Sequence, residues 1–134
     1  MTTKEYLSRA FYLERQIKSK ENQLQYLRAH VIYVTPSISD MPNCSVTDKS
    51  RMEETLIKIL ELEDYINKEI IKLLDFKKEI EGVIKAINNV SCETILELRY
   101  LEYLNWGDIA IKLNVSQDHV YYLHRKALKL VKAY

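Results

Sequence analysis

Glycine and proline are nearly missing from this 134-residue sequence, which has only Gly82, Gly107, Pro36 and Pro42. Backbone breakers are nearly absent outside one short region, which argues against turn-rich β architectures and points to helix throughout. Two glycines also cannot build a glycine-rich phosphate loop. Cysteine is as scarce: Cys44 and Cys92 stand far apart, with no CxxC or CxxH spacing. Neither a disulfide framework nor a zinc site is expected, and both thiols should be free. Charge of one sign is lacking too, because 20 Lys and Arg against 19 Asp and Glu leave a formal net charge of +1. No apolar run approaches the roughly 20 residues of a membrane span. Glu5 and Glu14 interrupt the N-terminus where a signal peptide needs an unbroken apolar core. The expectation is a cytoplasmic protein with no membrane partner.

Catalytic groupings are absent as well. The three histidines and two cysteines are scattered without nucleophile, base or metal spacing, so neither an enzyme nor a bound cofactor is expected. The acidic cluster Glu61, Glu63 and Asp64 falls within a helical pattern and reads as a solvated face rather than a metal site.

What is present is apolar and charged material in helical order. Hydrophobic residues make up 47% and charged residues 29%, enough to bury a core and far from disordered compositions. Tyr6, Ala10, Leu13, Ile17, Lys20, Leu24, Leu27 and Val31 step by alternating fours and threes, which predicts one long amphipathic helix from Thr3 to about Val34. Thr2 or Thr3 can cap it, with Glu5 in the first turn. The segment TPSISDMPNCSVTD, 35–48, holds both prolines and no helical period, and is expected to be a loop.

A second helix is expected from Thr47 or Asp48 to about Asn88, with Leu56, Ile59, Ile66, Ile70, Leu73, Ile80, Ile84 and Ile87 on its ladder and Glu63 and Lys77 interrupting it. Leu60, Leu62, Ile71, Leu74, Phe76 and Val83 widen that stripe beyond what one partner helix covers. The two helices should therefore form a coiled-coil-like hairpin that also packs on a second copy or on the C-terminal segment. Asn88, Asn89 and Ser91 break the pattern, with Ser91 the best cap candidate. The expected organisation is all-α: a helical hairpin over 1–90 for oligomerisation or partner binding, then a helix-turn-helix domain over 91–134. Its helices should run from about Cys92 to Tyr103, Trp106 to Leu113 and Gln117 to Lys132.

The helix-turn-helix expectation rests on spacing around Ala110. A small residue is needed where two helices cross closely, a turn residue tolerant of left-handed dihedrals must follow, and both inner faces must be apolar. Ala110, Asn114, and Ile109, Leu113, Val115, Val120 and Leu123 fill those roles. Asn105 and Ser116 are placed to cap the two helices. At 100° per residue, setting Val120 inward keeps Leu123, Ala127 and Val131 inward and turns Asp118, Tyr122, Arg125 and Lys129 outward. Gln117, His119, Tyr121 and Lys126 lie on the shoulders, the first two at the end that enters a major groove, and His124 falls near the inner face. Gln can pair with adenine, Asp can accept from cytosine, and Tyr offers a ring to thymine methyls. Arg125, Lys126, Lys129 and Lys132 would meet phosphates. Tyr121 and Tyr122 are expected as a pair of exposed tyrosines.

Cys92 to Tyr134 carries six basic residues (Arg99, Lys112, Arg125, Lys126, Lys129, Lys132) and five acidic ones (Glu93, Glu97, Glu102, Asp108, Asp118). One such module should bind DNA weakly at physiological salt, so two copies or a second DNA-bound partner are needed.

The stretch ETILELRYLEYLNWGDIAIKLNVSQDHVYYLHRKALKLV, 93–131, resembles region 4 of bacterial sigma factors, through LRYLEYLNWGDIA, the NVS turn and the ALKLV ending. With the long helical first half and the SISDMPNCS loop, the chain is similar to small phage-encoded transcriptional regulators of Gram-positive bacteria, the ArpU-like and RinA-like group. The resemblance implies base contacts from Gln117, Asp118, Tyr121 and Tyr122, with Ser116, Arg125 and Lys126 toward the backbone. Sigma factors commonly carry arginine at the positions of Gln117 and Tyr121, so a different DNA sequence is expected here. Nothing resembles the sigma regions that bind the −10 element. The expected function is thus a sequence-specific, double-stranded-DNA-binding regulator acting as a homo-oligomer, with a dimer favoured. The alternatives are a small terminase-like DNA-packaging oligomer, or an adaptor that binds host RNA polymerase or its sigma factor.

Overall fold

A computed structural model describes the backbone of residues 1–40 and 46–131 and the side chains of residues 1–31 and 49–131. Every element among them is helical: α1 Thr3–Asp40, α2 Val46–Lys85, α3 Val90–Leu96, which continues as a π-helical turn over Glu97–Leu101, α4 Trp106–Leu113 and α5 Gln117–Leu130. None of these helices is long and apolar enough to cross a membrane.

The chain divides into two compact units, Met1–Glu14 with Lys72–Tyr134, and Arg15–Ile71. In the second unit α1 and α2 run antiparallel, as Lys20 meets the Tyr65 ring and Arg28 pairs with Glu63. Ile17, Leu24, Ile59 and Ile66 are its buried residues. These fall on the ladders that the sequence predicts, because a heptad step keeps one face toward the partner helix.

The first unit holds the outer ends of the same two helices together with α3, α4 and α5. A reciprocal capping box opens α1: the Thr2 hydroxyl accepts from the Glu5 amide at 3.2 Å, and the Glu5 carboxylate accepts from the Thr2 amide at 2.9 Å. Leu7, Ala10, Ile80, Ile84, Cys92, Ile95 and Leu96 are essentially without solvent exposure. At the rim the Tyr6 hydroxyl donates to Glu79, whose carboxylate also takes Arg9 at 3.2 Å. The Tyr6 bond, with Arg9 beside it, holds the Glu79 carboxyl below its ordinary range, while burial and that same carboxylate push the Tyr6 phenol up.

Several boundaries differ from the sequence expectation. α1 continues through Pro36 to Asp40, whereas a loop was expected from Thr35; a proline removes one backbone hydrogen bond without fixing where a helix stops. Residues 41–45, the middle of that expected loop, lie outside the described residues, as does Cys44. α2 ends at Lys85 rather than Asn88, and Asn88 takes a left-handed φ of 58°. The cap of α3 is Asn89, not Ser91: its side chain accepts from the Cys92 amide at 3.2 Å, while Ser91 is exposed inside the helix.

The helix expected from Cys92 to Tyr103 is also not a single α-helix. After Leu96 it widens by one residue per turn, with the Glu102 amide donating to the Glu97 carbonyl at 3.0 Å. The wider turn buries both Leu98 and Tyr100. It ends at Leu101, and Tyr103, with a φ of 62°, then turns the chain toward α4.

Of the residues expected to widen the apolar stripe of α2, Leu62, Phe76 and Val83 are partly buried, but Leu60, Ile71 and Leu74 are exposed. In the acidic cluster of α2, Glu63 pairs with Arg28 and Asp64 with Lys68. No grouping of three or more His, Cys, Asp or Glu able to hold a metal occurs among the described residues.

Candidate nucleic-acid interface

The C-terminal helices are fixed by local chemistry that the sequence displays. Asn105, in extended conformation, accepts from the Asp108 amide at 2.8 Å and starts α4. Asn114 ends it with φ 57° and ψ 47°, and the Val115 amide bonds back to the Ala110 carbonyl at 3.1 Å. Ser116 then accepts from the His119 amide at 3.2 Å and starts α5. A single residue between the caps, Val115, leaves the helices no room to slide, so their facing sides are set by the turn. Ile95, Leu98, Ile109, Ala110 and Val120 form the buried cluster beneath, with Leu104, Trp106, Leu113, Val115 and Leu123 packed on it.

α5 is thereby split into two faces. Val120, His124 and Ala127 are buried, with Leu123 and Val131 partly so. Ser116, Gln117, Asp118, His119, Tyr122, Arg125, Lys126 and Lys129 are all exposed on the other side. Among the sequence-predicted site residues Tyr121 alone departs: it is half-buried, with its ring edge-on to Trp106 at 5.4 Å. The expected pair of exposed tyrosines is therefore one exposed tyrosine, Tyr122, lying against the His119 ring at 6.1 Å. A shoulder position reaches back to the preceding helix when a large ring is available there, and Trp106 supplies it. Lys132 lies outside the described residues.

Gln117 has a close neighbour that spacing did not suggest. A Cβ placed on Gly107 would stand 3.2 Å from its amide nitrogen, so glycine at that position leaves space for the Gln117 side chain. The three remaining cations of the exposed face are uncommitted: among the described residues, no ion pair involves Arg125, Lys126 or Lys129.

Behind this face lies an aromatic and cationic lock. His124 is only 7% exposed and shares a 2.7 Å hydrogen bond with the Tyr100 hydroxyl. Trp106 receives the His124 ring edge-on at 4.6 Å and the Arg99 guanidinium over its face at 4.3 Å. Arg99 also donates to the Leu104 carbonyl at 3.0 Å. Burial, reinforced by the charges of Lys4, Arg99 and Arg125, lowers the His124 pKa to about 4. Burial pushes the Tyr100 phenol up to about 12. The imidazole is thus neutral at physiological pH and serves the packing. Its inward position was legible from helical phase; its partner Tyr100 was not, because that contact joins two helices.

Residues 47–132 match a family described as a protein of unknown function, DUF1492. The chain belongs to this family. The matched span takes in α2 through α5, and so includes the whole candidate interface. Neither the curated proteins nor the solved structures yielded a match to the chain.

Proposed function

We propose that the protein is a sequence-specific DNA-binding transcriptional regulator of phage type, which lays α5 in the major groove and works as a pair of chains. The observation that carries this reading is the division of α5. Its inner side is locked by Val120, His124 and Ala127, while Gln117, Asp118, His119 and Tyr122 project from its first turns, followed by Arg125, Lys126 and Lys129. Hydrogen-bonding side chains at the leading end suit base edges, and long cations behind them suit phosphates. The capped, left-handed turn at Asn114 is what a helix-turn-helix requires sterically.

Binding-site selection from random duplex DNA, followed by titration of the recovered site at two salt concentrations, tests the reading. A recovered consensus bound more tightly than random duplex is expected, with affinity falling as salt rises. Equal binding to all sequences, or none, overturns it. Retention of host RNA polymerase without any DNA binding would instead assign the exposed face of α5 to a protein partner.

A further inference from the structure

The hairpin leaves a second apolar series on α2 uncovered. Ile57, Leu60, Ile71 and Leu74 are 55, 65, 62 and 60% exposed. At 100° per residue they share a stripe about 100° wide, turned by about 140° from the buried series Ile59, Ile66, Leu73 and Ile80. Asp64 and Asn67 occupy the two intervening steps, and Glu53 and Lys78 the next step beyond each end; all four are exposed. The series therefore repeats by threes and fours from Glu53 to Lys78, the pattern of a coiled-coil seam with a polar centre and one charge at each end.

We propose that this stripe is a seam along which two copies of the chain pair, α2 against α2 and antiparallel, about a two-fold axis between Tyr65 and Ile66. In that register Ile57 meets the partner's Leu74, and Leu60 meets the partner's Ile71. Asp64 meets the partner's Asn67, and Glu53 meets the partner's Lys78, each contact occurring twice by symmetry. Charge selects this arrangement. Parallel pairing would set Glu53, Asp64 and Lys78 each against its own copy, three layers of like charge. A slip of one heptad would press Leu60 onto the partner's Lys78 and Asp64 onto the partner's Leu74, burying charge against leucine. In the proposed register the Asp64 carboxylate keeps Lys68 of its own helix at 2.9 Å and accepts from the partner's Asn67 amide. A central polar layer of this kind fixes register.

The seam deepens the paired-chain part of the DNA-binding reading, but it concerns protein contact alone and is measured without DNA. Sedimentation equilibrium of the full chain should give a dimer. Glu53→Lys and Lys78→Glu should each weaken it about five- to tenfold by setting like charges together at both ends, and the double reversal should restore it. Leu60→Glu should abolish it with helix content unchanged. On mixing, Ile57→Cys chains should cross-link to Leu74→Cys chains and not to one another. A monomeric wild-type chain, a double reversal no better than the single ones, or cross-linking of Ile57→Cys chains to one another overturns the seam. A dimer of this register that binds no DNA keeps the seam and removes the DNA reading; a monomer that binds DNA does the reverse.

Discussion

His124 illustrates how a single buried residue ties stability to pH. In the fold its imidazole stays neutral down to about pH 4, against an ordinary value of 6.5. Between those values the unfolded chain binds the extra proton, so stability is full above about 6.5 and declines as pH drops toward 4. The span corresponds to about 3 kcal/mol at most. Thermal melts from pH 7 to pH 4 check this against Tyr100→Phe/His124→Leu, which removes both partners and leaves no orphaned hydroxyl. The variant should lose less melting temperature on acidification than wild type; equal losses would exclude His124 as the source. Gly107 offers a second test at this scale, because an added methyl would crowd the Gln117 amide at 3.2 Å, a flexible end that can move aside. Gly107→Ala should keep or slightly raise stability, by up to about 1 kcal/mol from helix propensity. It should also change the base preference wherever Gln117 reads DNA, as site selection would reveal.

At the level of elements, the α4 and α5 pair owes its geometry to three capping side chains, Asn105, Asn114 and Ser116. Ser116→Ala removes the acceptor of the His119 amide and should cost about 1 kcal/mol in denaturant unfolding. Asn114→Val should cost about 1–2 kcal/mol, since the residue sits at φ 57°, whereas Asn114→Gly should be close to neutral. Equal effects of Val and Gly would mean that the left-handed turn does not matter. These caps were legible because capping chemistry acts within three residues, and the ladders of α1 and α2 were legible because a heptad step is a property of one helix. The Asn89 cap was missed because two Asn and a Ser stand together, and local preference alone cannot rank them. The π-helical turn left no mark on the sequence, for it answers to the burial of both Leu98 and Tyr100. Tyr121 was misplaced for a related reason: its ring is taken up by Trp106 on another helix.

For the molecule as a whole, the number of phosphates its exposed cations neutralise, rather than its net charge of +1, sets how DNA binding should respond to salt. Each α5 offers Arg125, Lys126 and Lys129 as exposed cations with no ion pair of their own among the described residues. If all three reach phosphates, one chain releases about three counterions and a dimer about six, giving slopes of log K against log salt near −3 and −5. The proposed function together with the α2 seam therefore expects wild type near the steeper value on its selected site. Leu60→Glu, unable to pair, should fall near the shallower one and bind far more weakly at physiological salt. Lys129→Ala in the dimer should flatten the slope by nearly two, because one substitution removes two contacts, while base preference stays unchanged. Should wild type and Leu60→Glu give the same slope, one chain alone would be responsible for binding, and the low charge of the C-terminal helices would no longer require a second copy.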